Sequence, residues 1–257
     1  MKSKWATALG LVALVLAGLT CSYGCDDDDD VAGALTALMH ILHLDADRDG
    51  VPDTYQYQAG VVDESGSDLL GQTVIVTLPD GSTFPLACAD DGSQTLCVTA
   101  LLTPPAPSGK ANIPAGLYRI TADGRPVAEF TVAAADLDPA GDPAGVDLAS
   151  LNPATPGNLP DPAVLDWQPA ALGPAGNLWE FSVANIDAAD DNGQSVSGTS
   201  ADWASSNFSL DLPDTWDLAD PLLVGLVAVG FYDRGTYLQI IRVQSLLTGY
   251  VFGAPPT

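Results

Sequence analysis

Four aspartates and one glycine within nine residues form the pattern that points most clearly to chemistry. The segment reads D-x-D-x-D-G-x-x-D, so carboxylates stand at positions 1, 3, 5 and 9 and the glycine at position 6. Calcium prefers hard oxygen donors at these spacings, with a backbone carbonyl at position 7, and the glycine permits the sharp turn that gathers them. The expected calcium ligands are Asp45, Asp47, Asp49, Val51 and Asp53.

This loop departs from an EF-hand at two positions. Gln56 occupies position 12 instead of a bidentate glutamate, and Pro52 lacks the N–H that paired EF loops share. The pattern resembles the thrombospondin type 3 repeat, whose calcium loops lack EF helix pairing. The resemblance covers nine residues in one copy and implies a weak, structural Ca²⁺ site with a Kd of about 0.1–1 mM. The alternative is an acidic turn that holds no ion.

The segment before the loop predicts a short helix, because residues 31–44 are rich in Ala, Leu and Met. His40 and His43, three residues apart, would share one face of that helix. No third ligand stands nearby in the sequence, so we interpret them as an ordinary pair at the solvent edge. Residues 31–53 are therefore expected to form a short helix followed by the calcium loop.

The N-terminus carries an export signal. Lys2 and Lys4 precede an apolar run over 5–19, which is too short for a lasting membrane span. We expect residues 1–24 to be a signal peptide, and residues 25–30, which continue into five aspartates, to be a solvated tether.

The cysteines extend this interpretation. Gly24 precedes Cys25, which resembles the lipidation site of a bacterial lipoprotein signal, whereas the bulkier Thr20 precedes Cys21. We therefore expect Cys25 to be acylated, which would fix the chain to a membrane; a soluble secreted protein is the alternative. Cys88 and Cys97 then remain as a pair, and an oxidising compartment favours a disulfide between them over two free thiols.

Composition excludes some classes of function. The chain has 33 acidic and 8 basic residues and a formal net charge of −25, so it offers no basic surface for nucleic acid. Hydrophobic residues make up 47%, which is more than an intrinsically disordered chain contains. Nearly all the acids are aspartates, which favour turns over helix interiors and so indicate a β-rich fold.

The strand patterns indicate an all-β fold with two immunoglobulin-like sandwiches. Apolar residues alternate over 74–78, and Pro79-Asp80-Gly81 marks a hairpin turn; similar short segments continue to residue 135. We expect a first immunoglobulin-like domain over 54–135 and a proline-rich linker over 136–162, within which 146–151 is a possible first strand of the next domain.

The last part of the chain, 163–257, is similar to a fibronectin type III domain as bacteria use it. The similarity rests on Leu165-Asp166-Trp167-Gln168-Pro169, on the alternation at Trp179, Phe181 and Val183, and on the apolar run 222–231. It implies a module that binds proteins or spaces other modules, with no catalytic residues. The nine apolar residues from Leu222 predict a buried central strand.

These observations favour a non-catalytic, lipid-anchored envelope or cell-surface protein with a structural or protein-interaction role. The partner would be an unidentified envelope protein or polysaccharide. Trp203 and Trp216 stand in polar segments, so an alternative is a carbohydrate-binding or adhesive module in which their rings stack on a sugar; loop tryptophans that plug the end of a sandwich are the other interpretation. A hydrolase among the many acids is the third alternative.

Overall fold

The structure is a computed structural model that describes residues 35–64, 69–90, 94–171, 173–186, 195–200, 203–214, 216–217 and 220–253. The predicted signal peptide, Cys25 and the acidic tether lie outside these ranges. The described residues form strands and three short 3-10 helices, which confirms the all-β prediction. Within the same ranges, no helix is long and apolar enough to cross a bilayer.

The strands before residue 135 are β1 (Leu35–Leu44), β2 (Thr54–Asp63), β3 (Val74–Thr77), β4 (Thr83–Asp90), β5 (Thr95–Thr99), β6 (Gly116–Ala122) and β7 (Arg125–Val132). Those after it are β8 (Val146–Asn152), β9 (Gly157–Leu159), β10 (Ala163–Pro169), β11 (Leu178–Asn185), β12 (Ser195–Thr199), β13 (Asn207–Leu210), β14 (Pro221–Asp233) and β15 (Leu238–Phe252). The 3-10 helices are Lys110–Asn112, Ala134–Leu137 and Pro139–Gly141.

The helix expected over 31–44 is wrong for the described residues, because β1 occupies 35–44. The alternate residues Ala37, Met39 and Ile41 enter the main core, while Leu38 belongs to a second cluster on the opposite face of the sheet. A strand with both faces buried reads as a nearly continuous apolar run, and its pairing with two neighbours overrides the helix propensity of Ala, Leu and Met.

One sheet runs through both expected domains. Its order is β12-β11-β14-β15-β1-β2-β5-β4-β3-β6-β7, with β9 also paired to β15. β1 pairs with β2 antiparallel and with β15 parallel, so it joins the strands of the N-terminal region to those of the C-terminal region. The strands before and after residues 136–162, the expected linker, therefore belong to one hydrogen-bonded sheet.

The main core lies on one face of this sheet. At the N-terminal end the sheet curls until β7 approaches β1. At the other end a three-stranded sheet, β13-β10-β8, packs on it through aromatic side chains. Trp167 meets Trp179 edge-on at 5.5 Å, and Phe208 stacks on Phe181 at 5.0 Å. The buried side chains of both ends belong to one cluster.

The opposite face of the central strands carries a second apolar cluster with polar groups in it. Its buried members are Leu38, Val62, Leu96, Val227, Val229 and Ile240. His40 and Arg242 lie on the same face, because they stand at even positions of β1 and β15 next to Leu38 and Ile240. Arg242 donates to the Glu180 carboxylate at 2.5 Å, so its charge is paired.

Candidate metal site and the other predicted site residues

The acidic segment is the loop of the β1–β2 hairpin. Leu44 lies opposite Thr54, and the Asp53 N–H donates to the Leu44 carbonyl at 2.9 Å, so the loop is closed directly at its base. Arg48 and Gly50 have positive φ values of 64° and 92°. Glycine adopts this conformation without steric cost, which explains its presence at position 6.

Asp45 anchors the loop from within the protein. Its side chain is 2% exposed, and both carboxylate oxygens accept backbone hydrogen bonds. Oδ1 accepts from the N–H of Asp49 at 3.1 Å, while Oδ2 accepts from the N–H groups of Gly50 at 2.7 Å and Leu246 at 2.9 Å. The last of these bonds ties the loop to β15, in the C-terminal part of the chain.

Gly50 reinforces the same connection. A Cβ atom on this residue would lie 2.9 Å from Leu148 Cδ2 and 3.2 Å from Leu247 Cδ2. The backbone of the acidic loop thus packs directly on side chains of β8 and β15. The sequence predicted a loop at the junction between tether and first domain, but its closest tertiary contacts are with later strands.

Three of the predicted ligands are brought together. One oxygen each of Asp45, Asp47 and Asp49 lies within 4.8 Å of the other two, and the latter two side chains are exposed. Carboxylate oxygens in this arrangement suit a hard divalent cation such as Ca²⁺, whose ligands stand 2.3–2.6 Å from the ion. The three carboxylates could therefore hold a metal ion, and their oxygens are of the type that Ca²⁺ prefers.

The other two predicted ligands form hydrogen bonds within the loop. Asp53 Oδ1 accepts from the Ala46 N–H at 3.1 Å and is not part of the three-carboxylate group. The Val51 N–H donates to Asp49 Oδ1 at 2.8 Å, and the Val51 side chain is 54% exposed. Both residues shape the loop in the described structure.

The loop is electrostatically crowded. The pKa of Asp47 is raised by the loss of surrounding water and then by the negative charges of Asp49, Asp53 and Asp45, against a lowering hydrogen bond from the Asp49 N–H. Crowding of like charges favours protonation or a bound cation. A cation between these carboxylates would remove the repulsion.

The predicted disulfide is confirmed. Cys88 on β4 lies directly opposite Cys97 on β5, and their sulfurs are bonded. The bridge joins two adjacent antiparallel strands near a turn.

Both loop tryptophans are packed against the protein. Trp203 stacks on Trp179 with ring centroids 4.5 Å apart, and a Cβ on Gly176 would lie 2.5 Å from the Trp203 ring. Trp216 is 6% exposed and meets Phe252 edge-on. One face of the Trp203 indole is covered by Trp179 while the residue stays partly exposed, and the Trp216 indole is buried.

The sequence analysis missed a polar junction around Lys110. The lysine side chain is 1% exposed and forms an ion pair with Asp142. Its Nζ also donates to the Asp138 carbonyl at 3.0 Å, and the Tyr55 hydroxyl donates to Asp142 Oδ2 at 2.8 Å. The one signal available was that Lys110 is the single lysine after the N-terminal Lys2 and Lys4.

The expected linker, residues 136–162, also forms hydrogen bonds with residues at the start of β15. The Tyr237 hydroxyl donates to Asp136 Oδ2 at 2.9 Å, and Gln239 Nε2 donates to the Asp136 carbonyl at 3.0 Å. The segment that contains Asp136 and Asp142 is therefore bound to β2 and to β15 together.

A functional interpretation rests on these contacts, because no protein-family model matches the chain and no curated protein is similar to it.

Proposed function

We propose that this chain is a non-catalytic, lipid-anchored protein of the bacterial envelope or cell surface, with a structural or protein-interaction role. The observation that carries the proposal is the single sheet that hydrogen-bonds through both β regions. A body joined in this way keeps its two ends in a fixed relation, which suits a protein that holds a surface away from its anchor.

The tether supports the same role. Only nine residues lie between Cys25 and Leu35, the first residue of β1. An extended chain of that length spans at most about 35 Å. Because five of these residues are aspartates, the tether stays solvated. The folded part would then sit near a lipid surface without inserting into it.

Calcium would serve as a structural ion in the β1–β2 loop. Asp47 and Asp49 supply exposed carboxylates, while Asp45 fixes the loop to β15. The ion would neutralise a crowded loop that already touches strands from both ends of the chain.

A thermal unfolding titration tests the ion. With a Kd of about 0.5 mM, 5 mM Ca²⁺ adds about 1.4 kcal/mol of stability, which raises the Tm by roughly 2–4 °C. Asp47→Asn should abolish this rise. Asp80→Asn is the matched control, because Asp80 is an exposed turn aspartate bonded to Ser82 and should leave the rise intact. An equal rise in Asp47→Asn would exclude the loop as the calcium site.

Membrane fractionation tests the anchor. The full chain should sediment with membranes and incorporate labelled fatty acid, and Cys25→Ser should abolish both properties. Cys21→Ser is the control and should keep them. Recovery of unprocessed protein with an intact Met1 from the cytosol would overturn the proposed location.

A further inference from the structure

The placement of Lys110 is unusual for this chain. Its side chain is 1% exposed, although the net charge of −25 would favour a lysine at the surface. A buried ammonium loses its hydration, and the attraction of one carboxylate repays this loss only when the geometry is excellent. The contacts of Lys110 therefore have to compensate for this loss of hydration.

The surrounding groups hold the amine against one carboxyl group. Lys110 Nζ touches Asp142 Oδ1 and donates to the Asp138 carbonyl at 3.0 Å. The Tyr55 hydroxyl donates to the other carboxylate oxygen, Oδ2, at 2.8 Å. The Tyr55 ring is itself fixed, because His43 stacks on it with centroids 4.0 Å apart.

We propose that Lys110 and Asp142 condense into an intramolecular isopeptide bond. The Nζ–Cγ bond forms and the Cγ–Oδ1 bond breaks. One ammonium proton first passes to Oδ1, which leaves a neutral amine whose lone pair can attack Cγ. A second proton then leaves with Oδ1 as water, and the third remains on the amide nitrogen. The two opposite charges cancel, so the reaction needs no oxidant, reductant or further reactant.

The site supplies what this reaction requires. Two groups held in contact react with an effective concentration far above any that free reactants reach. The Tyr55 hydroxyl bonds to Oδ2, where negative charge builds as Nζ attacks Cγ, and a donor at that position stabilises the tetrahedral intermediate.

The product also fits the site. The amide N–H would still donate to the Asp138 carbonyl, and the amide oxygen would still accept from Tyr55, so each buried polar group has a partner. Two buried charges disappear. The bond would link positions 32 residues apart in sequence and so join the chain before β6 to the chain before β8.

Tryptic digestion of the reduced and denatured full chain tests the proposal. Trypsin cleaves after free Lys110 and releases residues 111–119. An acylated Lys110 resists cleavage, so residues 49–119 would appear joined to residues 120–234, with a mass lower by one water, about 18 Da. Release of 111–119 in full yield from the wild-type protein would overturn the proposal, whatever the variants do.

Variants assign the roles of the individual groups. Lys110→Arg keeps a cation but lacks the amine, and Asp142→Ala lacks the carboxyl, so neither should give the joined peptide. Glu129→Gln alters the exposed ion pair with Arg119 and should give it in full. Tyr55→Phe should form it about 100-fold more slowly after refolding, as expected for loss of one donor. A wild-type rate in Tyr55→Phe would refute the role of the hydroxyl.

Discussion

His40 should make the protein less stable in mild acid. The imidazole is 6% exposed on the central strand β1. Gln58 Nε2 donates to the Thr99 carbonyl, so its Oε1 faces His40 Nδ1 at 3.2 Å and accepts that proton. His40 Nε2 is then an acceptor, and it has no hydrogen-bond partner in the described structure.

A second proton on this ring would be costly. The pKa of His40 is lowered from 6.5 to about 3, first by burial and then by the Arg242 charge, and the hydrogen bond to Gln58 opposes this only in part. The unfolded chain binds a proton near pH 6.5, whereas the folded protein does not until about pH 3. Stability from the neutral ring is therefore complete above pH 6.5 and is lost progressively as the pH falls toward 3.

The magnitude follows from the shift. At pH 4.5, two units below the unfolded-state pKa of 6.5, protonation of the histidine stabilises the unfolded state. The free energy of unfolding therefore falls by about 2.5–3 kcal/mol. Carboxylates titrate in the same range, so the wild-type profile alone does not isolate the histidine. His40→Asn places an amide donor where Nδ1 stands and removes the titration.

The measurement is urea unfolding of both proteins at pH 7.5 and pH 4.5. The stability difference between wild type and His40→Asn should change by about 2.5 kcal/mol in favour of the variant at the lower pH. His43, whose pKa is also lowered by burial, is present in both proteins and cancels. Parallel pH profiles for the two proteins would show that His40 is solvated or charged in the folded state.

Three further outcomes are expected. Asp45→Asn should lower the free energy of unfolding in calcium-free urea by about 2–3 kcal/mol, since the buried carboxylate accepts three backbone hydrogen bonds. Asp47→Asn should cost almost nothing under the same conditions. Equal costs would contradict the assignment of Asp45 as the anchor. Gly176→Ala should destabilise the protein by about 1–3 kcal/mol, because the added Cβ would meet the Trp203 ring at 2.5 Å and the Val229 carbonyl oxygen at 2.8 Å. It should also change tryptophan fluorescence by displacing Trp203, and Trp203→Ala should relieve only the part of the cost that comes from the ring. Replacing Cys88 and Cys97 together by alanine should cost about 2.5 kcal/mol, and an unchanged urea midpoint would count against a bridge in the folded protein.

The sequence predicted the class of fold well because strands with one buried face show a period of two. Trp179, Phe181 and Val183 alternate in the sequence and are buried on β11. The apolar run from Leu222 lies in β14, between β11 and β15, as expected for a central strand. The disulfide followed from cysteine parity, and the acidic loop from its ligand spacing.

The remaining features depend on long-range pairing. Residues 35–44 have helix-forming composition, and they form a strand because they pair with β2 and, in parallel, with β15, some 200 residues later. No local pattern indicates that partner. In the same way, Asp142 sits among prolines and glycines typical of a linker, and its bonds to Lys110 and Tyr55 arise from the fold alone.

In the acidic loop, neighbouring residues would serve two functions, and this explains how the proposed weak calcium site is compatible with a fixed loop. Asp45 has both oxygens occupied by backbone donors, so the loop keeps its attachment to β15 when no cation is bound. Asp47 and Asp49 remain exposed, and the pKa of Asp47 is raised first by the loss of surrounding water and then by the neighbouring negative charges. Since the fold does not depend on the ion to position Asp45, binding has only this local repulsion to relieve. We therefore expect calcium to stabilise the fold modestly rather than to be required for folding.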